Sequence, residues 1–355
     1  MYFCRSLIQD VKISKCFSVV CLICSFCNIC TSIYVTLLDT VSMVKRVWAE
    51  MSFFANYVKK LFHSPISILL KFSENIFFCP EPNGNWGVIA TNKFSDNFRL
   101  FKMSLRKADS FVEIPAAAKG NNLFPAVDPT SKKLLFASDR DGVWRIYLLD
   151  LEGGSEAKAL TSPDADCLSP CWCPRCKEER IAFSRFNERE GRWEICVMDL
   201  GSGRISYLGP GLFPAWSPDG RYLAVQRPRE KAEGQFGIWI IDVTGKEGDR
   251  PVVVDERYAA CNPYWSPDGK SLVFNTVKGG AKPLREEGGC IYIYHFDEGP
   301  GRIEGPLPGT EQGAWRPVWG KDGRIYFHKR EGRAVNLFAV CRSDSRVSTL
   351  AERSN

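Results

Sequence analysis

The chain has 355 residues, 45% of them hydrophobic and 25% charged, with a formal net charge of +6. These values place it among globular proteins with a substantial core. The charge is mild for the length and no Lys/Arg stripe interleaves with exposed aromatics, so nucleic acid is not an expected partner.

The first 75 residues differ from everything after them. Residues 16–38 form a run without a single charge, CFSVVCLICSFCNICTSIYVTLL. Its length suits a membrane-spanning helix. Lys12 and Lys15 precede the run, and Lys45 and Arg46 follow it, a balance that assigns no orientation. Residues 43–62 put Val44, Val47, Trp48, Met51, Phe54, Val58 and Phe62 at helical spacing, with Lys45, Arg46, Glu50, Lys59 and Lys60 on other faces. That pattern predicts an amphipathic interfacial helix. Three readings of this leader stay open: a membrane anchor over 16–38, a cleavable signal, and an extension upstream of a start at Met43 or Met51. The first two imply a membrane or cell-envelope location, the third a cytoplasmic one. Cys21, Cys24, Cys27 and Cys30 mimic an iron–sulfur run. Their apolar spacers and the lack of a following Pro favour small apolar residues in a membrane segment instead.

From residue 76 to 355 one pattern recurs six times, with copies starting near 78, 125, 170, 214, 263 and 317. A tight turn comes first: Pro82-Asn-Gly84, Pro129-Thr-Ser131, Pro174-Arg-Cys176, Pro218-Asp-Gly220, Pro267-Asp-Gly269 and Lys321-Asp-Gly323. Pro presets φ and Gly accepts φ > 0, so the column predicts a hairpin corner. An apolar strand follows each turn: Val88–Ala90, Leu134–Phe136, Ile181–Phe183, Leu223–Val225, Leu272–Phe274 and Ile325–Phe327. A further strand carries Leu100-Phe101, Ile146-Tyr147, Ile195-Cys196, Ile238-Trp239, Ile291-Tyr292 and Leu337-Phe338. Four residues after the aliphatic member stand Ser104, Asp150, Asp199, Asp242, His295 and Cys341. The three Asp read as strand-ending carboxylates that accept from turn amides. A repeat of roughly 45 residues with four short strands is the size of a propeller blade. The fold expected is all-β, a six-bladed β-propeller of four-stranded antiparallel blades behind a hydrophobic, helical leader.

Cys167, Cys171, Cys173 and Cys176 crowd the third copy, where Cys176 replaces the turn Gly. Four thiolates in ten residues raise structural zinc, a disulfide or free thiols as readings. Cys171 and Cys173 flank Trp172 and so face opposite sides of a strand. The total of 15 Cys, several on strands as small apolar residues, leans toward a reducing compartment. The sequence has three His and neither a G-x-S-x-G elbow nor an H-E-x-x-H pair. No catalytic residue and no cofactor are expected.

The P-x-W-S-P-D-G turn resembles the WD-like repeats of TolB-type β-propellers. So do the polar turn Ser138-Asp-Arg-Asp-Gly142 and the strand Ile146-Tyr-Leu-Leu-Asp150 that follow a strand in the second copy. The resemblance covers about four fifths of the chain and is specific for fold. It implies either a protein-binding propeller, as in TolB of the bacterial envelope, or a propeller domain like those that gate the hydrolase domain of dipeptidyl and oligopeptidases. TolB has a folded α/β domain ahead of its propeller, and the leader here is too short and too apolar for one.

In a propeller blade the loop between second and third strands lies on the face opposite the Pro-Asp-Gly turns. The fourth and fifth copies are enlarged there, at residues 228–235 with Arg229 and at 277–289 with Lys278 and Arg285. Arg140, Arg185, Arg227 and Lys329 end the preceding strands. Insertions on one face often mark the binding face, so these basic residues are expected to meet a protein segment or an anionic ligand on a monomeric propeller. On the anchor reading, the full chain sediments with membranes through a carbonate wash and a chain lacking residues 1–50 does not. A full chain left in the supernatant removes that reading.

Overall fold

The computed structural model describes residues 75–351, apart from short stretches at 107–109, 154–155, 230–235, 256, 279–288, 298–300, 312, 332–333 and 342–346. The anchor, signal and amphipathic-helix readings of the leader lie outside the described residues. Among the described residues no helix is long and apolar enough to cross a membrane.

Among the described residues twenty-four strands form six antiparallel sheets, each from four consecutive strands. Blade one holds β1 (Asn75–Pro80), β2 (Trp86–Thr91), β3 (Arg99–Ser104) and β4 (Phe111–Glu113). Blade two holds β5 (Asn122–Val127), β6 (Lys133–Ser138), β7 (Arg145–Asp150) and β8 (Lys158–Ala159). Blade three holds β9 (Cys167–Trp172), β10 (Arg180–Asn187), β11 (Arg192–Asp199) and β12 (Ile205–Pro210). Blade four holds β13 (Leu212–Trp216), β14 (Tyr222–Pro228), β15 (Phe236–Asp242) and β16 (Arg250–Val253). Blade five holds β17 (Tyr258–Trp265), β18 (Ser271–Lys278), β19 (Ile291–His295) and β20 (Arg302–Glu304). Blade six holds β21 (Ala314–Trp319), β22 (Arg324–Glu331), β23 (Ala334–Cys341) and β24 (Val347–Ala351).

The second strand of each blade is buried on both faces. Val88, Ile89, Leu134, Leu135, Phe183, Ala224, Phe274 and Tyr326 are all fully enclosed. A sheet with a neighbouring sheet on each side has no wet face, so these strands read as continuous apolar runs. Among the described residues no strand is exchanged between the first and last blades. The ring closes through side chains, with Phe78, Ile89, Phe101 and Met103 packed on Tyr326, Leu337 and Ala339.

Each inner strand (β1, β5, β9, β13, β17 and β21) breaks register against its second strand. In five of them the bulge holds a non-glycine residue in the left-handed region: Phe124, Ser169, Phe213, Asn262 and Arg316, with φ between 50° and 54°. Pro125, Pro170, Pro214, Pro263 and Pro317 follow directly, and a following Pro disfavours the right-handed helical region. Such backbones cost of order 1–3 kcal/mol each and persist only where the surroundings fix them. At three junctions a buried side chain on the preceding blade's second strand does so. Ser184 Oγ accepts from Phe213 N, Gln226 Oε1 from Asn262 N, and Asn275 Oδ1 from Arg316 N, each at 3.2 Å. The Trp column adds a second tie. Trp172 Nε1 donates to Ala126 O at 2.9 Å and Trp265 Nε1 to Ala215 O at 3.1 Å, each reaching the preceding blade.

The strand-ending Asp residues cap turns. Asp199 accepts from Ser202 N and Oγ, and Asp242 from Thr244 N and Oγ1 and from Glu247 N. In the third copy Cys173 and Cys176 form a disulfide in place of the Pro-Asp-Gly corner. It packs on Gly220 of the next blade, where a Cβ would lie 2.9 Å from Cys173 Sγ. Cys167 is buried in a different core cluster, Cys171 carries a free thiol, and among the described residues no group of His, Cys, Asp and Glu is placed to hold a metal. Of the four cysteines, Cys173 and Cys176 are thus paired and Cys167 and Cys171 are separate thiols.

Asn275 Oδ1 also accepts from Asn262 Nδ2 at 2.9 Å, so Asn275→Ala orphans two donors at one junction. The expected loss is about 2–4 kcal/mol in urea unfolding. A loss below about 0.5 kcal/mol would show that the acceptor is not what fixes the bulge.

Candidate functional site

The bulges turn their side chains onto the ring axis. Phe77, Phe124, Ser169, Phe213, Asn262 and Arg316 line one cavity of about 330 Å³, which runs from the bulges to the Pro-Asp-Gly turns. Trp172, Trp216, Trp265, Trp319 and Tyr264 wall it, with a proline from every blade. The volume sits at the lower end for ligand sites, about 300–1,000 Å³, and so does the lining: apolar walls with few polar groups.

Arg316 is the charged group at the floor. Its guanidinium carbon lies 3.9 Å from the Phe77 ring centre and 5.3 Å from those of Phe124 and Phe213. The side chain is 9% exposed. Burial alone pulls its pKa from 12.5 to about 9, and among the described residues no carboxylate or carbonyl accepts from its guanidinium. The aromatic cage stabilises the charge through ring faces. Glu81, also on the lining, is engaged elsewhere: Ser131 Oγ donates to it at 2.8 Å and Asn85 N at 3.2 Å. Burial opposes the Glu81 charge, and these donors outweigh it, holding the carboxyl below its usual range.

The other titratable groups of the lining are poised away from acid–base chemistry. His328 is 1% exposed with Nδ1 unpaired. Burial, then the charge of Arg316, pulls its pKa from 6.5 down to about 3. Burial pushes the Cys79 thiol up to about 11 and the Cys171 thiol up to about 12, which leaves both as poor nucleophiles at neutral pH. A Ser271–His295–Glu304 chain exists in blade five, with Ser271 Oγ 3.0 Å from His295 Nδ1 and His295 Nε2 2.9 Å from Glu304 Oε2. Ser271 and His295 are 6% and 7% exposed, and the chain links β18, β19 and β20 across one sheet.

Five of the basic residues singled out by sequence have partners of their own. Arg140 donates to Ser138 Oγ, Ala116 O and Asn122 Oδ1. Arg227 donates to Pro210 O at 2.8 Å and pairs with Asp249 at 2.6 Å. Arg229 donates to Asp255 O and Lys329 to Gly309 O. Arg185 pairs with Asp164 at 2.8 Å and lines a second, polar pocket with Asn187, Glu188, Glu194 and Tyr207. Lys278 ends β18 and Arg285 lies outside the described residues. What sequence reasoning missed is the residue before the repeat's first Pro. Its signal was present: an X-Pro column in five copies, matched by the polar column Ser184, Gln226, Asn275 and His328 inside the second strands.

No family model matches the chain. It is 30% identical over 150 residues to a protein TolB homolog of Chlorobium luteolum, across 41% of this chain and 32% of that protein. The chain thus spans about a third of the length of that curated relative. The crystal structure of TolB from Acinetobacter baumannii superposes with a TM-score of 0.58 at 18% identity, over 78% of this chain and 63% of that one. An acylaminoacyl peptidase superposes with a TM-score of 0.50 at 18% identity, over 81% of this chain and 47% of that one. The described residues form a TolB-like six-bladed β-propeller.

The depressed His328 value sets a pH dependence. The unfolded chain takes a proton near pH 6.5 and the folded chain only near about 3, so stability falls as pH drops through that window, by up to about 1.4 kcal/mol per pH unit. His328→Leu is expected to flatten the stability–pH curve between those values in denaturant titrations. Parallel curves for the two chains would place a charged imidazole in the folded core.

Proposed function

We propose that the chain is a non-catalytic binding scaffold that engages a segment of a protein partner at the channel mouth on the Pro-Asp-Gly face. The observation that carries this reading is the ring of left-handed bulge residues around one apolar cavity. A fold that holds five side chains in a costly conformation at one place is giving up stability to set them there. Walls of Trp and Pro suit an extended segment, because they offer apolar contact area with little rotamer entropy to lose. The likeness to TolB proteins supports a protein as the partner and the cell envelope as the location. The raised thiols and the lowered His328 support binding over catalysis.

Two rival readings have an observation behind them. The peptidase superposition favours a propeller that gates a separate hydrolase, at the level of fold alone. The swollen loops of blades four and five, between β14 and β15 and between β18 and β19, favour a site on the opposite face beside Arg227.

Ser169→Phe separates the faces. Phe124 and Phe213 already occupy the equivalent left-handed position, so the backbone tolerates the substitution while the new ring fills the cavity. Crosslinking capture with the full chain is expected to lose its partner by at least about tenfold in Ser169→Phe, with an unchanged melting curve. Arg227→Glu is expected to keep the partner. Undiminished capture by Ser169→Phe sinks the channel reading, and loss in Arg227→Glu alone moves the site to the loop face.

A further inference from the structure

We propose that Arg316 is the recognition residue of the channel and that its ligand is a carboxylate carried on an apolar body. The inference rests on the channel being the binding site, and it names what that site selects. Three observations lead to it. Arg316 is 9% exposed as a residue, lines the axial cavity, and its guanidinium has no acceptor among the described residues. Its neighbours Phe77, Phe124 and Phe213 attract the charge through their faces but offer nothing to the N–H donors along its edge. Among the described residues no ion pair joins Arg316 to the other charges of the lining: Glu81 accepts from Ser131 and Asn85, and Lys321 is a second cation at the turn of blade six.

A structural plug would not need a cation here. A packing role alone would be met by an apolar side chain of similar length, whereas the Arg316 donors are not sealed in the core but open into the cavity. The arrangement becomes favourable once an anion accepts from the guanidinium edge. A carboxylate fits best, because its two oxygens match the N–H fork. The walls restrict what the carboxylate is attached to. Trp and Pro surfaces reject a strongly hydrated body and accept an apolar one, as in a peptide C-terminus after an aromatic or aliphatic residue, or in a small aryl carboxylate. His328, packed near Arg316 and held neutral at physiological pH, adds no negative charge to oppose the ligand.

Calorimetry on the full chain at pH 7 tests this with two matched pairs of probes. One pair is N-acetyl-Pro-Phe with a free C-terminal carboxylate and its C-terminal amide; the other is 3-phenylpropionate and 3-phenylpropionamide. Each carboxylate is expected to bind at least about tenfold more tightly than its amide, the minimum for one hydrogen-bonded charge. Tighter binding by the dipeptide assigns the site to peptide termini, and tighter binding by phenylpropionate to small carboxylates. Arg316→Met is expected to erase the carboxylate preference while melting no lower than the unaltered chain, and Arg316→Lys to keep part of it. Amides that bind as tightly as their carboxylates, yet are displaced in Ser169→Phe, overturn carboxylate recognition and leave the channel reading standing. Absence of binding by all four probes also overturns the inference, and partner capture by Ser169→Phe then judges the channel independently. The carboxylate–amide comparison needs no variant, so a failure of Arg316→Met to fold does not spare the proposal.

Discussion

A propeller must bring six strands to one axis, and the amide freed where each strand turns inward needs a buried acceptor. At three junctions of this chain the acceptor comes from the preceding blade. Ser184, Gln226 and Asn275 each reach across a junction to the amide of Phe213, Asn262 or Arg316. One set of hydrogen bonds therefore fixes both the spacing of the blades and the direction of the side chains on the axis. The Trp column repeats the idea with indole donors and carbonyl acceptors. Scaffold and site are set by the same contacts.

That coupling explains why the channel floor holds groups that ordinary cores avoid. Arg316 keeps its charge in a cage of rings, and His328 stays neutral beside it because both burial and that charge oppose a proton. Left-handed backbone at Phe and Arg is unfavourable on its own. It persists because the neighbouring blade over-determines it. Catalytic sites move pKa values toward neutrality; here the thiols of Cys79 and Cys171 move further from it.

The fold was legible in the repeat because turn chemistry and strand burial are local. The column Pro218-Asp-Gly220 marks a corner whether or not the rest of the ring is known, and Leu223 to Val225 reads as core for the same reason. The site was not legible in that way. The residue before Pro varies from Phe to Ser to Asn to Arg, so nothing about its chemistry repeats, and only its backbone does. Register shifts such as that between Trp315 and Val318 arise from packing against another blade. Basic residues such as Arg227 looked available because their partners, Pro210 O and Asp249, lie 17 and 22 residues away in sequence. In the Cys cluster, strand alternation was legible and the choice of pair was not: the Cys173–Cys176 bond forms across the turn of the third copy.

Selection of a carboxylate ligand by an axial cavity floored by Arg316 is open to a direct test in a crystal structure of the full chain with N-acetyl-Pro-Phe. The peptide is expected in the channel with its terminal carboxylate about 3 Å from the Arg316 guanidinium nitrogens. A peptide seated beside Arg227 on the loop face, or in the channel with its carboxylate turned out to solvent, would contradict it.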